Sequence, residues 1–82
     1  MIEAQEICDR IQRALPGAEV KISDLTGGGD HYQVEVISEQ FEGIPPLKRH
    51  RMVHAPLKDV LGGALHALAL TTKTPAETAV TP

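Results

Sequence analysis

One cysteine stands in a chain of 82 residues, and tryptophan is absent. Cys8 therefore has no partner within the chain, which excludes an internal disulfide and any site built wholly from this chain's own thiolates. Aromatic surface is almost missing: one Tyr and one Phe leave little on which nucleobases could stack. No apolar stretch approaches the ~20 residues needed to cross a bilayer. The first three residues already include a charge, so a signal peptide is not expected either. The expectation is a cytoplasmic protein with no membrane partner. Enzyme signatures are also lacking. There is no G-x-S-x-G elbow, no phosphate-binding loop and no cysteine placed as a nucleophile, so a non-enzyme is expected.

What is present is unevenly charged. Residues 1–43 hold nine Asp/Glu against three Lys/Arg, a net of −6, while residues 44–82 hold five Lys/Arg against two acids, a net of +3. An acidic total argues against general coating of nucleic acid, yet Lys48, Arg49, Arg51 and Lys58 leave a local basic patch. The length allows one domain with a modest core, whose stability margin is small unless a partner adds to it. That domain is assigned to residues 1–75, and residues 76–82 to a short disordered tail.

Ile2, Ile7, Ile11 and Leu15 recur at helical spacing, with Glu3, Glu6, Asp9, Arg10 and Arg13 on the other side. Pro16-Gly17 ends that helix. Residues 19–25 alternate, with Val20 and Ile22 on one face and Lys21 and Ser23 on the other, as a strand does. Three glycines make residues 26–30 a loop, bordered by Asp24 and Asp30, whose side chains are expected to make turn hydrogen bonds. Tyr32, Val34 and Val36 then mark a second strand, antiparallel to the first. Pro46 suits a helix start. The pattern from Leu47 predicts a helix that breaks near Ala55, and a further helix over 56–61 is capped by Gly62-Gly63. Residues 65–70 form a third strand, apolar on both faces and so expected to be well covered. A short turn of helix is expected at 75–78. The sum is an α+β fold, α-β-β-α-α-β(-α). Its three-stranded sheet is mixed if the second and third strands are neighbours.

The order Gly27-Gly28-Gly29-Asp30-His31-Tyr32, then Phe41-Glu42-Gly43, then Arg49-His50-Arg51-Met52-Val53, then Gly62-Gly63-Ala64-Leu65-His66 resembles the BolA-like family. Each piece is common by itself, but all of them in sequence within so short a chain are specific. The resemblance implies the same three-stranded arrangement, of type II KH-like form. It also implies an accessory role in iron–sulfur metabolism, through a heterodimer with a monothiol glutaredoxin. In that family a histidine of the third-strand motif ligates a 2Fe–2S cluster shared with glutaredoxin and glutathione. Carried onto this chain, the ligand is His66.

Read from residues alone, His66 is a half-buried histidine bonded to a nearby carbonyl, and it is the resemblance that turns it into a ligand. The family's second ligand comes from the loop between the first two strands, where the nearest imidazole is His31. It is either the substitute ligand or a strand-end residue with a separate role. The isolated protein, a monomer or weak homodimer, is expected to carry no cofactor. His54 reads as packing. Cys8 reads as a small buried hydrophobe, with a redox-sensing or glutathionylated thiol as the other reading.

The alternative function is DNA-binding transcriptional regulation. It would use the helix-turn-helix-like region 48–58, with Arg49, Arg51 and Lys58 on phosphates and Lys48 in support. The same cations could instead form a solvated face or an end that docks an acidic partner.

Overall fold

The computed structural model describes residues 2–25, 27–28, 31–63, 65 and 67–79, with nothing stated of the side chains of residues 78–79. The first helix, α1 (Ala4–Ala14), buries Ile7 and Ile11 one turn apart, as their spacing predicts. Two antiparallel strands follow, β1 (Glu19–Asp24) and β2 (His31–Ile37). A single 3-10 turn (Glu39–Phe41) leads to α2 (Pro46–His54), and then come β3 (Ala67–Lys73) and a short α3 (Pro75–Ala79). The strand order is β1-β2-β3, with β2 and β3 parallel, so the sheet is mixed as expected.

Three expectations shift in detail. The helix expected over 56–61 is one 3-10 turn (Ala55–Leu57) followed by a turn through residue 60. Between Pro56 and Gly62 too few α-type hydrogen bonds can form to propagate a helix. Gly62 caps the turn at φ +87°, a conformation that glycine adopts without strain.

The third strand lies later than its apolar run suggested. All seven residues of β3 pair with all seven of β2, so β-branched Thr71 and Thr72 extend the ladder past Leu70. Leu65 instead belongs to the turn, where it donates its N–H to Val60 and accepts from Gly62 while its side chain is fully buried. Nor is β3 covered on both sides. Ala67, Ala69 and Thr71 are exposed, whereas Leu68 and Leu70 face the helices, half-buried.

The core lies between the helices and one face of the sheet. Ile7, Ile11 and Leu15 meet Tyr32, Val34 and Val36, and Phe41, Val53, Leu57 and Leu65 close the far side. Burying an aliphatic side chain of this kind is worth roughly 1.5–3 kcal/mol, and the alternation of β2 delivers two of them, Val34 and Val36, to the same face as Tyr32. The Tyr32 hydroxyl, buried with its ring, donates to the carbonyl of Ile2 at 2.6 Å and so avoids an unpaired polar atom. The opposite face of the sheet is polar. There Glu35 stands between Lys21 at 3.7 Å and Lys73 at 3.3 Å.

Candidate metal and partner surfaces

His31 opens β2 and is half-buried. Its carbonyl accepts the N–H of Leu25 at 2.9 Å, closing the hairpin at the loop's base. Asp24 makes the turn bond expected of it, accepting the N–H of Gly27 at 2.9 Å. Asp30 and His66 lie outside the described residues. The parallel register sets His31 opposite Ala67, the first residue of β3 and the one that follows His66 in the chain. The heads of β2 and β3 therefore lie side by side at this end of the sheet.

Among the described residues, no group of three or more His, Cys, Asp or Glu side chains could hold a metal ion. The described donors therefore fit a metal centre only where further ligands complete it. His31 alone, or with His66, offers neutral imidazole nitrogen, a borderline donor suited to iron. Cys8, on α1, is a free and partly buried thiol.

The basic helix divides into two faces. Arg49 points inward and is only 9% exposed. Its Nε donates to the Ile44 carbonyl at 2.7 Å, and its two terminal nitrogens reach the two Glu77 carboxylate oxygens at 2.9 and 3.3 Å. The guanidinium also sits 5.8 Å from the centre of the Phe41 ring. This corrects the reading of Arg49 as a phosphate contact, because its donors are already committed inside the protein. Lys48, Arg51 and Lys58 are exposed. His54 is half-buried, with its ring 6.2 Å from that of His50 one turn earlier.

Sequence reasoning missed the partner of Arg49. The signal was Thr74-Pro75-Ala76-Glu77, a capping box. Glu77 accepts the N–H of Thr74 at 2.8 Å, and Thr74 Oγ1 accepts the N–H of Glu77 at 3.1 Å. One carboxylate thus caps α3 and holds α2. Arg49, and then the Thr74 N–H, keep the Glu77 carboxyl below its ordinary pKa. The F-x-G motif serves the same junction. Phe41 is fully buried and Gly43 turns the chain at φ +73°, which brings the Ile44 carbonyl to Arg49.

Comparison with known proteins agrees with this architecture. The family model described as BolA-like protein matches residues 9–77. BolA-like protein 1 of Homo sapiens is 53% identical over 75 residues, covering 83% of this chain and 55% of the relative. The chain thus spans about half the length of the mammalian BolA-like protein 1 relatives it matches. The structure of BolA1 from Arabidopsis thaliana superposes with a TM-score of 0.82 at 34% identity, over 96% of this chain and 95% of that one. The BolA domain of SufE1 from Arabidopsis thaliana gives 0.79 at 29% identity, over 94% and 99%. With its motifs in order, its strands in the same arrangement and most of its length matched, the chain belongs to the BolA-like family.

Proposed function

We propose that this chain is an accessory protein of iron–sulfur metabolism, in which it joins a monothiol glutaredoxin and shares a 2Fe–2S cluster with it. The observation that carries the reading is the β2–β3 register. It sets His31 level with Ala67, the residue that follows His66 in the chain, which supports a site shared by the two histidines. His66 is the proposed primary ligand and His31 the second. The role is binding, not catalysis. Bound in this way, the cluster would supply redox and transferable iron–sulfur chemistry, at a higher potential than an all-thiolate cluster has. An imidazole ligates only when deprotonated, so acid favours release from this side of the complex. Such a ligand suits passing a cluster on or sensing it.

The test is reconstitution. The protein and a monothiol glutaredoxin are mixed with glutathione, iron and sulfide, and visible absorption and circular dichroism are recorded. His66→Ala should abolish the heterodimer spectrum, and His31→Ala should weaken or reshape it. A spectrum unchanged by His66→Ala removes the ligand assignment.

A further inference from the structure

The outward side of α2 and the turn that follows it carry cations that no described residue neutralises. Arg10 pairs with Glu6 and Asp59, Lys21 and Lys73 share Glu35, and Arg49 holds Glu77. Among the described residues, Lys48, Arg51 and Lys58 make no ion pair, although the chain is acidic overall. Arg13 shares that condition on a different helix. Lys48 and Arg51 are one turn apart, ~4.5 Å along the axis, so they share a side of the helix.

Apolar surface lies beside them. Pro45, Leu47 and Met52 line a shallow depression edged by Lys48 and Arg51, and Leu47 is 66% exposed. A second depression, lined by Ala55 and Leu61, is edged by Arg51, His54 and Lys58. Arg51 borders both, so the two form one strip. Water gains nothing from an exposed leucine, and an unneutralised cation gains most from a carboxylate held beside it.

We propose that this strip docks an acidic segment of a partner protein. Its apolar side chains would enter the two depressions while its carboxylates meet Lys48, Arg51 and Lys58. Nucleic acid fits less well. A phosphate backbone would leave Leu47 and the apolar linings uncovered, and the Tyr32 and Phe41 rings are buried, at 4% and 0% exposure. The proposal needs no metal and no contribution from His31 or His66, so it stands or falls apart from cluster sharing.

The experiment titrates the metal-free chain, by fluorescence anisotropy, with a labelled peptide of repeating Glu and Leu. The comparison probes are its Gln-for-Glu counterpart, an oligoglutamate without leucine, and a labelled DNA duplex. The Glu/Leu peptide should bind most tightly and weaken with salt. Arg51→Glu or Lys58→Glu should each lower its affinity about tenfold. Leu47→Ser should cost a few-fold, with circular dichroism showing every variant folded. Three results would overturn the proposal: unchanged affinity in both charge-reversed variants, tighter binding of the duplex than of the peptide, or a dimer in sedimentation that Arg51→Glu dissolves. The last would make a second copy the occupant. Cluster reconstitution with Arg51→Glu and with His66→Ala then tells a failure here from a failure of the iron–sulfur reading.

Discussion

Arg49 and Arg51 stand two positions apart on one helix, carry the same group and do different work. Arg49 is walled in by Phe41, the Ile44 carbonyl and Glu77, and it ties α2 to the C-terminal turn of helix. Arg51 faces outward between two apolar depressions, with no carboxylate paired to it among the described residues. Helical geometry explains the split, since a step of two residues turns the side chain to the other side of the cylinder. A run of basic residues is therefore not one surface. Its inward members hold the fold, and only its outward members are available to a partner.

The comparison can be broken most directly through the ring beneath Arg49. Phe41→Ala removes a fully buried side chain and should cost about 3–5 kcal/mol in urea unfolding. A loss below ~1.5 kcal/mol would mean that the junction collapses around the gap. Arg49→Ala should cost about 2 kcal/mol, because the Ile44 carbonyl and the partly covered Glu77 lose their donor. Arg51→Ala should stay within ~0.5 kcal/mol of the parent. Equal losses in the two arginine variants would erase the distinction drawn here.

Smaller effects sharpen it. Arg49 and the Thr74 N–H hold the folded-state pKa of Glu77 below its unfolded value, so the carboxylate's contribution is present at neutral pH and lost in acid. Glu77→Gln should lower the melting temperature at pH 7, and the gap from the parent should close as pH falls below about 4.5. A gap that stays constant through that range would show that the charge is not what matters. Smallest of all, Glu35→Gln on the open face of the sheet should change stability by no more than ~0.5 kcal/mol, since both lysine contacts are solvent-screened.

Local pattern made much of the fold legible. The spacing of Ile7 and Ile11, the alternation of Val20 and Ile22 with Lys21, and that of Tyr32, Val34 and Val36 each report a face that is buried on one side. The extent of β3 was not legible in the same way. Apolarity stops at Leu70, whereas the strand continues as long as β2 offers it partners. The length of the helical piece after Pro56 depended on how many hydrogen bonds a short segment between Pro and Gly can close. Of the candidate site, His31 was visible as a residue type, but its place opposite Ala67 is a property of pairing between distant strands. The inward turn of Arg49 could not be read from its own neighbourhood, because its partner Glu77 lies in the last helix.

The parallel pairing of β2 with β3 has a consequence for any molecule that grips both strand heads. No local turn can bring those strands side by side, because the whole crossover through α2 has to be in place first. The two heads become neighbours only when the chain between Ile37 and Ala67 has crossed back over the sheet. Holding on to a guest there and resisting heat should therefore rise and fall together, and a melting curve could report occupancy as faithfully as a spectrum.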